Sequence, residues 1–528
     1  MGVAMRCPGF VLAVGVLGFL SICTEAALAA GAGSRFEIRL AGSSAHEPGL
    51  LALLRLTRAG GLEICQPGSL HVYSTGKVES QGHEVLYRCA AGRDAGAPPG
   101  SELVLAKTAQ GGSGGAVGAL LRGTQLQAAS GARIELSFLA PAAPALLSTP
   151  GVMRPAVAPL SAYVFHSGVP SSVKRTHGAP DLALSDLEPA QFAHRLRPPL
   201  APGELRRLAS LPVSSVLYGV PLSRGLWQRL QVLEFPASSP CNPQHPDYGG
   251  INLPGSRANS LACMPSLSKA QVQGLLTGLL QDWRDLQSPL GGQTDVASAS
   301  APGLAPLAST QVYVERRQQG SGTQRAFEIF FNAGRCGEAG LAGVGAPGVH
   351  VNQGNAELLH RLARHDAEGR GAIGMLPTTL VAKALDRWRF VKISGTPPSL
   401  RAAVTGQWEL WFEGSLHLRA QPGAGFPAAA PAVKAFAAVL ARGLGSPGLV
   451  RHLNTQSHQL FGPAGLMANG IDHAKEAPRA PLQAGSAGSG QPGDVVDRPV
   501  ALVSRGAGGP VDACASPVAV GPTPTELP

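Results

Sequence analysis

The chain has 528 residues, enough for two to four domains with real cores. A hydrophobic fraction of 44% with only 14% charged residues excludes a wholly disordered acidic or basic chain, and the lack of a Gly-x-y period excludes collagen despite 68 Gly and 45 Pro. The net charge of +10 favours anionic partners, but scattered basic residues, 5% aromatics and the absence of zinc-finger or RNP-type motifs argue against nucleic acid.

The chain opens like an export signal. Arg6 supplies a positive charge, residues 10–22 form an apolar run too short to span a bilayer, and Ala27-Leu28-Ala29 gives a peptidase its small-x-small site. Residues 1–29 are therefore expected to be cleaved. A lipoprotein reading through Cys23 is disfavoured by the bulky Ile22 before it. No later stretch reaches the ~20 apolar residues of a spanning helix, so a periplasmic or extracellular protein without a membrane span is expected. Cys7 and Cys23 leave with the signal; Cys65, Cys89, Cys241, Cys263, Cys336 and Cys514 remain. Six cysteines in an oxidising compartment imply disulfides, with about 15 pairings open. Proximity favours Cys65–Cys89 and Cys241–Cys263, which leaves Cys336–Cys514. None falls in a CxxC pattern, so thiol-redox and zinc roles lack support.

Alternation predicts a first strand over residues 35–40, then a Gly-Ser-Ser turn and a helix over 49–56. A strand at 102–108 leads into Gly111-Gly112-Ser113-Gly114-Gly115 and a helix over 116–121. Further strands are expected at 181–184, 213–220 and 311–314, and helices at 323–331 and 356–363. Alternating strands and helices indicate α/β layers and a largely parallel sheet. Residues 140–159 read as an Ala/Pro-rich surface excursion, and residues 474–528 as an irregular Gly/Pro-rich tail with 500–504 its only strand-like run. Residues 388–393 and 408–412 look like core or crossover strands with aromatic flanks.

The most informative segment is Val314-Glu315-Arg316-Arg317-Gln318-Gln319-Gly320-Ser321-Gly322-Thr323, running into a helix. It places unpaired amides and two hydroxyls at the positive end of that helix, where an anion binds. Arg317, four residues before Ser321, can offer its planar fork to an oxyanion. The plain alternative is a Ser or Thr N-cap beside a surface Arg. Gly42-Ser43-Ser44-Ala45 and Gly112-Ser113-Gly114-Gly115 repeat the same chemistry after earlier strands. The latter also fits G-x-S-x-G, the nucleophile turn of α/β-hydrolases, with Ser113 as nucleophile. That enzyme reading lacks a convincing acid and base: His350, His360 and His365 read as a loop histidine and surface-helix histidines. There is no HExxH, P-loop or EF-hand, so metal and nucleotide cofactors lack support.

Arg317-x-x-x-Ser321-Gly322-Thr323 resembles the signature of the phosphate-binding proteins of ABC importers, within the type 2 periplasmic binding proteins. Other segments are similar in the same order: Ala41-Gly42-Ser43-Ser44-Ala45; Leu267-Ser268 through Val272, Gly278 and Asp282-Trp283-Arg284-Asp285; Ser185-Asp186; and Gly371-Ala372-Ile373-Gly374. The resemblance implies two α/β lobes with a cleft between them and two crossover strands. Lobe one would comprise residues 30–211, with an insert at about 77–180, and a return over 394–473. Lobe two would span 212–393. It implies a non-enzymatic protein that captures an oxyanion, inorganic phosphate first, and delivers it to an ABC permease. Ser44 and the backbone at Ala45 would contact the anion from lobe one. Asp186 would be the carboxylate of the site, and Arg317, Ser321, Gly322 and Thr323 would close from lobe two. Ser113 is the best match to a further family serine, with Ser74 the runner-up. Ala45 departs from the family's aromatic residue, and Gln319 stands where members can carry an acid. Asp186 otherwise reads as an N-cap before a helix over 187–192. The alternative from a different class is a secreted structural or surface-associated protein that keeps the fold with a changed site.

Overall fold

The computed structural model describes residues 34–468, apart from 59–60, 77–83, 124, 127–132, 142–150, 168–172, 192, 194–195, 197, 287–294, 332–345, 424 and 457, together with the strand pairs at 471–472, 477–478, 501–502 and 519–520. The expected signal segment, Cys336 and Cys514 lie outside the described residues.

The first lobe is built from β1 (Arg35–Gly42), β2 (His71–Ser74), β3 (Glu84–Ala90), β4 (Glu102–Thr108), β5 (Val152–Arg154), β6 (Tyr163–Ser167), β7 (Leu182–Ser185) and β8 (Leu208–Gly219). The second is built from β9 (Pro221–Ser223), β10 (Ser309–Arg317), β11 (Val349–Asn352) and β12 (Arg370–Gly374), followed after β13 (Leu376–Pro377) by β14 (Trp388–Phe390). The chain then returns through β15 (Trp411–Arg419) and β16 (Leu466–Met467). An 11-stranded sheet runs β13-β8-β15-β7-β1-β4-β3-β2-β6-β5, with β16 also on β8; a 5-stranded sheet runs β11-β10-β12-β9-β14. The molecule is thus a two-lobe α/β protein with one large sheet per lobe, supplemented by two-stranded sheets such as Leu136–Pro141 with Val173–Gly178 and Ser266–Leu267 with Lys392–Ile393. The chain passes from the large sheet to the small one at Val220, and returns between β14 and β15.

The expectation of a largely parallel sheet is corrected. β1 pairs parallel with β4 and β7, and β10 with β11 and β12, yet β2–β3, β3–β4, β7–β15, β8–β15 and β9–β12 are antiparallel. Hairpin connections such as β3–β4 force antiparallel neighbours, and helical crossovers are needed only for the parallel ones. Within the expected excursion at 140–159, the described residues 152–154 form β5, which pairs with β6 at the edge of the large sheet beyond β2 and leaves Val152 and Met153 exposed. In the tail, Ala501–Leu502 pairs with Ala519–Val520, where the strand-like run was expected.

The strand-following helices begin where their turns leave off: α1 (Glu47–Arg55) after β1 and α2 (Gly112–Arg122) after β4. Lobe two contributes α3 (Lys269–Thr277), α4 (Gly322–Phe331) and α5 (Asn355–Ala367). α6 (Pro431–Leu444) and α7 (Pro447–Gln456) pack against α1, burying Phe436, Leu440, Leu449 and Val450. Among the described residues no single helix is long and apolar enough to cross a membrane; α6 and α7 pass that test only as a pair bent by 53°. Two of the resembling motifs prove to be one contact. α3 ends at Gly278, and Trp283, in a separate 3-10 turn, donates its indole N–H to Gly371 O at 3.1 Å. A Cβ on Gly371 would lie 2.3 Å from that nitrogen, so the strand must present glycine there.

Among the described residues two disulfides form, Cys65–Cys89 and Cys241–Cys263, with Cα separations of 5.7 and 4.8 Å. The second clasps a long stretch between α-helical and strand segments that holds only 3-10 turns, including Pro246–Tyr248 and Arg257–Asn259. Constraining an unfolded loop of this size is worth about 3 kcal/mol. The Cys241→Ser/Cys263→Ser double variant is expected to lose about that much unfolding free energy in a denaturant titration. An unchanged midpoint would show that the bond contributes nothing.

Candidate functional site

The register of three parallel strands brings distant residues to one point. Ala41 of β1 faces Thr108 of β4, and Gly42 faces Leu184 of β7. The residues just beyond these carboxyl ends are Ser43-Ser44-Ala45, the Gly111–Gly115 turn with Ser113, and Asp186. Ligands of α/β sheets bind outside such strand ends. Asp186 is buried and accepts a hydrogen bond from Ser43 Oγ. Ser43 Oγ also accepts from Ala45 N at 3.1 Å and lies 3.2 Å from His46 Nδ1, which is itself 3.5 Å from Asp186 Oδ1. Asp186 N donates to Ser113 Oγ at 3.2 Å. Asp186 is no helix cap: only the 3-10 turn Pro189–Gln191 follows it.

Lobe two meets this cluster through β10 and the turn into α4. Gly114 N donates to Gly320 O at 2.9 Å across the lobes. A Cβ on Gly320 would sit 2.1 Å from Gly111 O, and one on Gly322 would sit 2.6 Å from both Asp186 Oδ2 and Ser113 Oγ. The two glycine turns therefore interlock with no room for side chains. Ser321 Oγ accepts from Gln324 N at 3.4 Å, capping α4, and Thr323 is buried in its first turn. Further contacts across the cleft are Asn355 Nδ2 to Ser44 Oγ at 3.4 Å and Arg325 Nε to Gln191 O at 2.5 Å. Beside them a cavity of about 350 Å³ is lined by Ser44, Glu47, Gln353, Asn355 and Arg387 among others.

Arg317 is not a surface residue. It is 4% exposed at the end of β10, donates to Asn355 Oδ1 and to Gln353 O at 3.3 Å, and its Nε has no hydrogen-bond partner among the described residues. Burial pushes its guanidinium down to about 10, opposed first by the charge of Asp186, so it stays cationic at neutral pH. Tyr218, on β8, is wholly buried with its hydroxyl also unpartnered among those residues; burial and then the nearby Asp186 charge push its pKa well up, so it stays protonated. Glu47 is buried and paired with Lys107, and burial raises its pKa against that pairing.

The structure thus gathers Ser44, Ala45, Ser113, Asp186, Arg317, Ser321, Gly322 and Thr323 around one interlobe point. Ala45's amide is engaged by Ser43 within its own turn. Ser74 lies elsewhere: β2 stands three strands from β1, roughly 14 Å across the sheet. Ser43, His46, Tyr218 and Asn355 join the site although the sequence motifs do not mark them as ligands. Ser43 lies within a matched turn and His46 directly follows it, whereas Tyr218 and Asn355 carry no local signal. Ser113 Oγ accepts from the Asp186 amide, and among the described residues it makes no hydrogen bond to a histidine.

A second cluster is equally invisible in the sequence. His365, expected on a helix surface, is buried, and His350 lies on β11 rather than in a loop. Both reach Glu315 Oε1 at 2.8 Å, while Asn352 Nδ2 donates to Glu315 Oε2 at 2.8 Å. Burial pushes the Glu315 carboxyl up, but the bonds from His365 and Asn352 more than offset it, leaving the pKa below the usual value. Helix and strand periodicity place these residues on three elements; only the packing of α5 on β10 and β11 makes them neighbours.

No protein-family model matches the chain, and no curated protein sequence matches it. Solved structures similar to it include one described as a phosphate ABC transporter substrate-binding protein with bound phosphate, from Clostridium perfringens, at 12% identity and TM-score 0.38, covering 80% of this chain and 98% of that one. An ABC-type phosphate transport receptor from Vibrio cholerae is 13% identical with TM-score 0.28, covering 49% and 73%. A human phosphate-binding apolipoprotein is 13% identical with TM-score 0.28, covering 52% and 71%. Similarities at this level carry no functional weight of their own.

Proposed function

We propose that the chain is an exported solute-binding protein that clamps an oxyanion, inorganic phosphate first, between its two lobes, without covalent chemistry and in partnership with an ABC permease. The observation that carries this reading is the buried Arg317 guanidinium, whose Nε has no hydrogen-bond partner among the described residues, within Coulombic reach of Asp186 and at the strand end that leads into α4. A buried donor without an acceptor is rare unless a ligand supplies one. In this reading Arg317 pairs with the anion through its fork. The amides of Ser113, Gly322 and Thr323, at the starts of α2 and α4, supply N–H donors to its oxygens. Ser44, Ser113, Ser321 and Thr323 supply hydroxyls, Ala45 lines the lobe-one wall, and Gly322 lets the lobes close.

A carboxylate in an anion site selects for a proton. Monohydrogen phosphate can donate a hydrogen bond to Asp186; sulfate has no proton to give and would leave a like-charge contact. The Asp186→Asn variant is therefore expected to blunt discrimination, because its amide can donate to a fully deprotonated oxyanion. Calorimetric titration with phosphate and with sulfate reads the ratio of affinities, which should fall at least about tenfold, roughly 1.4 kcal/mol. An unchanged ratio would take Asp186 out of the site. Binding of neither anion by the wild type would return the structural alternative.

A further inference from the structure

We propose that Glu315, His350 and His365 form a divalent transition-metal site, zinc first, that ties β10, β11 and α5 of the second lobe together behind Arg317. The carboxylate oxygen and the two imidazole nitrogens lie within 4.8 Å of one another. Both nitrogens, His350 Nδ1 and His365 Nε2, converge on the same oxygen at 2.8 Å. Two imidazoles and one carboxylate make a three-ligand set suited to zinc, with at least one position left for solvent or an anion.

The surroundings fit a ligand role. Asn352 fixes the carboxylate by donating to its other oxygen, as an outer-shell group orients a metal ligand. The Tyr313 ring packs on both histidines, 4.6 Å from His365 and 6.3 Å from His350, restricting their rotation. The set is reachable: its outer side opens to a cavity of about 300 Å³ lined by His350, His360, His365, Glu357 and Arg370 among others. The arginines there do not repel a cation unopposed. Arg361 pairs with Glu357, and Arg364 and Arg370 both pair with Glu368. The site shares no residue with the anion cleft, so the two proposals stand or fall separately.

The test uses the untagged mature protein, stripped with a chelator and kept in phosphate-free buffer. Equilibrium dialysis against Zn²⁺ should load one ion per chain, Co²⁺ should give the visible absorption of a low-coordinate His/carboxylate centre, and zinc should raise the melting temperature. His350→Gln, at a partly exposed position, should fold as the wild type does in chelator, lose the melting-temperature rise and weaken zinc at least about tenfold. His365→Gln should do the same where it folds. Failure of the wild type to bind zinc stoichiometrically overturns the proposal. So does His350→Gln that binds zinc as tightly as the wild type.

Discussion

Arg317→Ala is expected to lower phosphate affinity by about 2–3 kcal/mol, roughly 30- to 150-fold, the scale of a charge-assisted hydrogen bond. The residue is buried, cationic and held in place by Asn355 and Gln353, so its guanidinium is aimed before any ligand arrives. Truncation also removes a buried cation that interacts electrostatically with Asp186, and the melting temperature of the ligand-free protein should fall as well. Arg317→Lys separates the two effects. The ammonium restores charge and much of the stability, but a point charge on a flexible stem cannot reproduce the planar fork, so affinity should recover little. Titration calorimetry and thermal melts of both variants check this. Wild-type affinity in both would sink the assignment of Arg317 to the site.

Gly322→Ala probes closure without touching charge. Its methyl group would fall 2.6 Å from Asp186 Oδ2 and Ser113 Oγ and 2.7 Å from Asp186 Cβ, all belonging to the opposite lobe. Alanine is a better helix residue than glycine, so α4 itself should not suffer. The clash falls at the contact between the lobes, and overpacking of this kind costs about 1–3 kcal/mol. Phosphate affinity should drop accordingly while the far-ultraviolet spectrum stays near wild type. An affinity equal to wild type would mean that the Gly320–Gly322 turn and the Gly111–Gly115 turn need not touch for binding.

Local chemistry makes much of this molecule legible in its amino-acid sequence. Strand, glycine-rich turn and helix follow one another within about 20 residues at β1, β4 and β10, and periodicity and turn preference act over that range. The same local logic marks Ser43-Ser44-Ala45, Ser113 and the Arg317–Thr323 run, and spacing alone pairs Cys65 with Cys89 and Cys241 with Cys263. Sheet direction is not legible, because a strand's sequence does not state whether its neighbour arrives by a hairpin or by a helical crossover. Tertiary structure alone decides that Asp186 meets Ser43 across 143 positions, through the parallel register of β1 and β7. It alone turns Arg317 inward, sets Tyr218 from the crossover strand near Asp186, and draws Glu315, His350 and His365 to one oxygen atom. Each of those contacts depends on how whole strands and helices pack, and the free energy that fixes that packing is spread over the core rather than written at the residues that meet.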